Sequence, residues 1–382
     1  MKILLIRPWP FLLDVEKNTY NIQEAGLAKA LTRRGHPTDI LFWTDGEEHT
    51  VNIPVEGSEP VRVFYRRGIA ALKNAWFLHI DQLAQSYDIL QSAEYNQMFS
   101  WYLAGRYPKK TVIYHGPYYS AFNRNYNRMC AVFDVLFTGR YRKKNTPFLV
   151  KSNLAGRFLR EKGIADEQIA VVGVGIDAQR LSGAEGQPSD IERQMRAQEK
   201  GLKLLYIGRV EPRRDSFFLI EVLKEVRKRD QDACFYWIGS GEAAYTEQVR
   251  ARIAEAGLER AIVWVDALPQ NQMKGVYDQA DFFLLPTEYE IFGMVMLEAM
   301  FFGKLVLTTK NGGSDMLIRS GENGVVLSKE DAGRWAEAML EIAADSNKRE
   351  RMQQNAHQTV SSTYTWDALA ERFLRVYRKV ST

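Results

Sequence analysis

Glu290 and Glu298 stand eight positions apart in PTEYEIFGMVMLEAMFFGKLVLTT, residues 286–309. Upstream, ADFFLLP is a nearly continuous apolar run closed by proline, which predicts a strand buried on both faces. Downstream, GMVMLEAMFFG has helix-forming composition and a glycine where a helix would stop. Glu290 is therefore expected in the loop leaving the C-terminal edge of a parallel strand. Glu298 is expected about two turns into the helix that follows. Open α/β sheets bind ligands at that edge. Two carboxylates beside the N–H groups of a helix start can hold sugar and ribose hydroxyls next to a phosphate. Taken alone, the pair reads more readily as a loop glutamate and a solvated helix glutamate; its neighbours decide.

The first neighbour is LLYIGRVEPRRDSFFLIEVL, residues 204–223, which reads as strand, turn and helix. Arg209 leaves the strand edge, and Arg213 and Arg214 open the helix. The helix dipole is positive there and disfavours cations. Three arginines at such a place make sense when an anion binds among them, with forked hydrogen bonds to phosphate oxygens. In the first half, His115 in VIYHGPYY ends an apolar strand. Tyr118, Tyr119, Phe122 and Tyr126 follow it and suit either stacking on sugar rings or a buried core. The run GSGEAA, residues 239–244, satisfies a loose dinucleotide fingerprint, with Glu259 at the spacing of a ribose-binding acid. A nicotinamide enzyme would need neither the arginine turn nor the paired glutamates.

The elements that position these residues fall into two series. KILLI, the helix IQEAGLAKALTRRGH and TDILFW start the first, and YDILQS, TVIYH, VLFT, PFLVKS and IAVVGV continue it as predicted strands. Residues 177–200 are polar, with glycine and proline, and read as a linker. A second series runs through LKLLYIGR, CFYWIGSG, AIVWVDAL, DFFLLP, KLVLTT and GVVL, and WDALAERFLRVYRKV is a basic-ended terminal helix. This is the spacing of repeated β-α units with parallel sheets.

The chain has 382 residues, 46% hydrophobic and 26% charged, which fits two soluble α/β domains. No apolar run suggests a membrane span. The opening MKILLIRPWPFLL is interrupted by Arg7, Pro8 and Pro10, so it reads as a first strand rather than a signal peptide. Two cysteines, Cys130 and Cys234, make no disulfide framework. Charge is uneven: residues 1–175 carry a net +7 and the rest −3. The basic half, densest at Arg140, Arg142, Lys143 and Lys144, suggests attraction to anionic lipid headgroups or an anionic acceptor. No nucleic-acid-binding module accompanies it.

The second half resembles the large retaining glycosyltransferase family numbered four, the glycosyl transferases group 1. GRVEPRRD resembles its Gly-Arg turn, EIFGMVMLEAM its paired-glutamate motif, GKLVLTTKNGGSDML its Gly-Gly turn, and VVGVGID the entry to its interdomain hinge. The resemblance implies the GT-B fold, two doubly wound Rossmann-like domains facing across a cleft. It implies an acceptor-side domain over residues 1–175, with the C-terminal helix 365–382 able to pack back on it, and a donor domain over 176–364. Arg209 and Arg214 would neutralise the diphosphate of a nucleotide sugar. Glu298 would bind ribose, and Glu290 the donor sugar, amid the backbone N–H groups of Phe292, Gly293 and Met294. Leu268 would present the backbone that reads the base, and His115 would face the reacting sugar, so that His115 and Glu290 form the catalytic pair. Three departures stand out. Arg214 replaces the usual lysine, Asp215 the usual glycine, and the first loop, PWPFLLDVEKNTYN, carries no glycine.

The expected activity is retaining transfer of a hexose-type sugar from a nucleotide sugar, foremost a UDP-sugar, to a saccharide or lipid-linked acceptor. No metal and no cofactor are expected. The expected location is the cytoplasm, including the inner face of the membrane. A nucleotide-sugar epimerase or hydrolase on the same architecture, or a two-lobed sugar-binding protein without turnover, remain open at this point.

Overall fold

The computed structural model describes residues 1–17, 22–71, 73–183 and 186–381. Asn18–Asn21 of the glycine-free first loop, and Ala184 and Glu185 of the stretch read as a linker, lie outside the described residues. The chain divides into two compact units, Met1–Asp177 with Tyr364–Thr382, and Ala178–Thr363.

The first unit is built on β1 (Ile3–Ile6), β2 (Thr38–Thr44), β3 (His49–Ile53), β4 (Val61–Ala71), β5 (Asn74–Phe77), β6 (Ile89–Ala93), β7 (Thr111–His115), β8 (Phe148–Val150) and β9 (Ile169–Val171). Their order is β3-β4-β2-β1-β6-β7-β8-β9, parallel except where β3 and β5 pair antiparallel with β4. β1, β7 and β8 are buried along their whole length. That is why they read as unbroken apolar runs rather than as alternating ones. VLFT, by contrast, is not a strand: Val135 and Leu136 end the helix Arg124–Leu136, and Thr138 opens the helix Thr138–Lys143. A short apolar run cannot distinguish the two states by periodicity.

The C-terminal helix Trp366–Val380 belongs to this unit. Thr365 caps it by accepting from the Ala368 N–H at 3.1 Å. Its inner face, Leu369, Phe373 and Tyr377, is fully buried, and the Tyr377 hydroxyl donates to Gln91 Oε1 at 2.6 Å. Trp366 lies against Gly26 so closely that a Cβ there would stand 2.2 Å from the indole ring.

The second unit carries β10 (Lys203–Ile207), β11 (Cys234–Ile238), β12 (Ile262–Val265), β13 (Phe282–Leu285), β14 (Leu305–Thr308) and β15 (Val325–Val326). All pairs are parallel, in the order β12-β11-β10-β13-β14-β15. The chain winds outward from β10 to β12, then returns to the other side of β10. The reversal opens a crevice at the carboxyl ends of β10 and β13, the usual ligand position of a doubly wound sheet. The described residues of the stretch read as a linker are part of this unit from Ala178 onward. Its helix Asp190–Ala197 is capped by Ser189 and buries Ile191 and Met195 completely.

Gly26→Ala should lower stability by about 1–3 kcal/mol, because the indole of Trp366 must shift. Urea unfolding followed by tryptophan fluorescence measures this; an unchanged midpoint would contradict the packing.

Candidate active site

The arginine turn follows β10 and the glutamate loop follows β13, so the two sequence motifs flank the crevice from neighbouring strands. Arg214 Nη1 lies 2.7 Å from Glu290 Oε2, with both side chains largely buried. Arg213 is used differently. Its Nη1 donates to the Tyr289 carbonyl at 2.6 Å, and its Nη2 to Glu211 Oε1 at 2.6 Å. It ties the two loops together. Arg209 is exposed at the same edge, with the Tyr206 hydroxyl donating to its carbonyl at 2.7 Å.

Pro212–Arg214 form a single 3-10 turn, and the helix begins at Ser216 rather than at the arginines. Asp215 between them has φ 50° and ψ 59°, the left-handed region. Asp is among the few side chains that tolerate this, since its short polar group bonds locally. Here it accepts the Phe218 N–H at 3.3 Å and lies 3.1 Å from Lys329 Nζ.

Glu290, Ile291, Phe292 and Gly293 are loop, and the helix runs Met294–Phe301. Glu298 is thus its fifth residue, a little over one turn in rather than two. Gly293, at φ 82°, is the cap; its carbonyl accepts the N–H groups of Met296 and Leu297 at 3.0 and 3.2 Å, while those of Met294 and Val295 have no acceptor within the helix. Glu298 is buried, and its Oε2 accepts from the Tyr277 hydroxyl at 3.0 Å. Phe292 is 2% exposed, so its side chain packs into the protein. Leu268 is half-buried in the loop after β12, two strands away from the crevice.

Two residues that motif reading passed over hold the glutamate loop. Buried Asn311 donates through Nδ2 to the carbonyls of Thr287 at 2.9 Å and Thr309 at 3.0 Å. Its Oδ1 accepts from Gly313 and Ser314 at 2.9 and 3.0 Å. Thr287 Oγ1 in turn lies 3.1 Å from the carbonyls of Arg213 and Tyr289. The Gly-Gly turn closes on the same loop: the Gly312 N–H donates to the Glu290 carbonyl at 3.0 Å, and a Cβ on Gly313 would stand 2.0 Å from the Phe292 oxygen.

The GSGEAA glycines have a packing reason. A Cβ on Gly239 or Gly241 would stand 1.8 Å from the carbonyl oxygen of Gly208 or Val210, so both positions serve the approach of this turn to the arginine turn. The metal-free expectation overlooked one Asp-x-Asp triplet, Asp230-Gln231-Asp232. It lies in the turn entering β11, at the opposite edge of the sheet, where Asp230 Oδ2 accepts from the Leu202 N–H at 2.7 Å. Among the described residues, no three His, Cys, Asp or Glu side chains gather as a metal-holding group.

In the first unit, His115 ends β7 and is fully buried. Its Nδ1 lies 2.6 Å from Glu94 Oε2, so Nδ1 carries the proton, while Nε2 is buried without a hydrogen-bond partner among the described residues. Phe158 stacks on the ring at 5.5 Å between centroids, and Tyr95 meets it edge-on at 5.1 Å. Glu94 leaves β6 with φ 62° and also accepts the Gly116 N–H at 3.1 Å. Burial pushes its carboxyl up, but His115, Lys151 and that N–H outweigh burial and hold it below the usual range. Of the four aromatic residues after His115, Tyr118 is buried, Tyr126 half-buried, and Tyr119 and Phe122 are exposed.

Two family profiles match the chain, Glycosyltransferase Family 4 over residues 25–180 and Glycosyl transferases group 1 over residues 189–359. The chain belongs to this glycosyltransferase family. Among curated proteins it is similar to the D-inositol 3-phosphate glycosyltransferase of Corynebacterium glutamicum (strain R), 29% identical over 220 residues, 55% of this chain and 51% of that one. It is 25% identical over 177 residues to the alpha-D-kanosaminyltransferase of Streptomyces kanamyceticus, 46% of this chain and 45% of that one. The chain thus spans about half the length of the curated relatives it matches.

Among solved structures it resembles a glycosyltransferase from Rickettsia africae, with TM-score 0.73 and 18% identity over 99% of this chain and 98% of that one. It also resembles Anabaena Alr3699/HepE in complex with UDP and glucose, with TM-score 0.69 and 17% identity over 99% and 100%. That likeness shows the fold, which is GT-B with two parallel-sheet, Rossmann-like units. The two departures of this family member at 214 and 215 have a structural account. The planar fork of Arg214 reaches Glu290, and Asp215 adopts the backbone that a glycine would take and adds a helix cap.

Removing Glu94 leaves buried His115 and Lys151 without their carboxylate, so Glu94→Ala should lower stability by about 3–5 kcal/mol and Glu94→Gln by less. A carboxylate held below its unfolded value stabilises the fold above that value and loses its contribution as pH falls through the folded one. Wild-type stability should therefore decline below about pH 4.5, more steeply than that of Glu94→Gln. Urea titrations across pH check both; parallel pH profiles would overturn the assignment.

Proposed function

We propose that the chain is a nucleotide-sugar-dependent retaining glycosyltransferase that moves a hexose-type sugar to a saccharide acceptor, lipid-linked and presented at an anionic membrane face. The observation that supports this is the meeting of Arg214 and Glu290 at 2.7 Å in the switch-point crevice, beside the helix start at Gly293. The exposed Arg209 and the fork of Arg214 suit a diphosphate, Glu298 a ribose, and Glu290 the sugar hydroxyls. The loop at Leu268 would present its backbone to the base. UDP is the proposed nucleotide, a reading supported by the Anabaena neighbour solved with UDP and glucose.

In the proposed step the acceptor hydroxyl attacks the anomeric carbon from the face that the diphosphate leaves. The new C–O bond forms as the bond to the β-phosphate oxygen breaks, and that oxygen takes the hydroxyl proton. The cations and the helix N-terminus stabilise the growing negative charge, so the reaction is proposed to proceed without a metal. Glu290 positions the sugar: a carboxylate already paired with an arginine is a weak nucleophile. His115 is the proposed group of the first unit, with Nδ1 anchored by Glu94 and Nε2 buried without a hydrogen-bond partner among the described residues.

UDP should raise the melting temperature while GDP, ADP and NAD do not, since only a ligand of the folded state stabilises it. Arg209→Ala and Glu298→Gln should weaken UDP about 10- to 100-fold, the loss of one charge-assisted bond. A shift with NAD alone would sink this reading. Transfer should persist in excess chelator with retained anomeric configuration by NMR, and Glu290→Gln should cut kcat about 10²-fold or more. Inverted product, or a trapped glycosyl adduct on Glu290, would refute the front-face step. Donor consumption without any acceptor would point to a hydrolase or epimerase instead.

A further inference from the structure

The helix Arg124–Leu136 turns an apolar face outward. Cys130 and Phe133 are its buried side. On the opposite side Met129 is 45% exposed, Val132 62%, Val135 85% and Leu136 65%. Their spacing places them along one stripe of the helix. The outer face of a surface helix is ordinarily polar, and large apolar side chains gathered in water mark a contact surface.

The charge around the stripe is one-sided. Arg124 and Arg128 are exposed on the helix itself, and Arg142, Lys143 and Lys144 are exposed just beyond it. Residues 119–145 contain six Lys and Arg and a single acid, Asp134. That acid is engaged by Lys162 and the Tyr95 and Thr138 hydroxyls. Arg140 is occupied over the Trp101 ring at 3.2 Å. What remains for a partner is apolar surface edged by five cations.

We propose that this helix and the basic turn after it dock on an anionic lipid bilayer. An apolar stripe with cations at its margins is the pattern of a helix lying in a membrane interface, its aliphatic side chains among the acyl chains and its cations at the headgroups. No described helix is long and apolar enough to cross a membrane, so the contact is one of lying on the surface. A second copy of the chain fits less well, because two such faces would bring ten like charges together. The biological sense of the contact rests on the proposed lipid-linked acceptor, but the contact is measured without donor or acceptor.

The test is co-sedimentation with vesicles of phosphatidylcholine alone or mixed with phosphatidylglycerol at about three to one. The wild type should bind the mixed vesicles at least about tenfold more tightly than the neutral ones, and lose that preference in about 0.5 M salt. Val132→Asp with Val135→Asp should reduce binding at least about tenfold, as should Arg142→Glu with Lys143→Glu and Lys144→Glu. All five positions are exposed, so unaltered melting temperatures should confirm folded variants. Wild-type binding that ignores lipid charge, absent binding, or variants that bind like the wild type would each overturn the proposal. So would a wild-type dimer in light scattering that Val135→Asp dissociates, which would assign the face to a second copy. Vesicle binding with no UDP response would leave this proposal standing and remove UDP as the proposed donor nucleotide.

Discussion

A cation and a carboxylate brought together in a crevice constrain everything around them. Arg214 and Glu290 are largely removed from water, and the desolvation of two ions nearly cancels their attraction. The pair therefore adds little net stability, while the loss of either partner is costly. What the surrounding structure supplies is position. Arg213 grips the Tyr289 carbonyl, Thr287 bridges the carbonyls of Arg213 and Tyr289, and Asn311 draws the next loop onto Thr287. Three loops from β10, β13 and β14 become one rigid rim. An anion arriving there meets a guanidinium whose orientation has been set in advance, which is the condition for strong electrostatic assistance.

The glycines of the rim follow from the same demand for close approach. Gly239 and Gly241 let the β11 turn touch the β10 turn, and Gly313 lets the β14 turn touch the glutamate loop. Each is a place where backbone packs directly on backbone. A glycine-rich turn in a doubly wound sheet thus has two uses, cradling a phosphate or admitting a neighbouring chain segment. The GSGEAA run belongs to the second.

The legible part of the molecule is the part whose physics is local. Buried parallel strands appear as unbroken apolar runs, and arginines at a strand-to-helix turn advertise an anion. The paired glutamates and the strand order around them could be anticipated for the same reason. Asn311 and Thr287 could not, because their role is to bond main-chain carbonyls on other loops, and residue type carries no trace of that. Glu94 lies 21 positions before His115, and only the β6–β7 register, with Ala93 opposite Tyr114, brings them together. VLFT misled because a four-residue apolar run is silent about period, and because its exposed apolar side chains break the expectation that a surface helix is polar outside.

Two carboxylates drawn out of water, one in each unit, solve the same problem by opposite means. Glu290 meets a permanent cation, whereas Glu94 meets an imidazole whose charge is conditional and adds Lys151 and a backbone N–H to keep itself ionised. The consequence differs. On the proposed reading, Arg214 would serve an incoming phosphate while still facing Glu290. His115 cannot exchange Glu94, since both are enclosed, so its Nδ1 stays anchored and Nε2 is the ring nitrogen left without a hydrogen-bond partner among the described residues. Left-handed backbone occurs at Glu94, whose carboxylate accepts the Gly116 N–H beyond the adjacent strand, and at Asp215, which accepts the Phe218 N–H three residues on. In both places the local strain is offset by the hydrogen bonds that the turn makes possible.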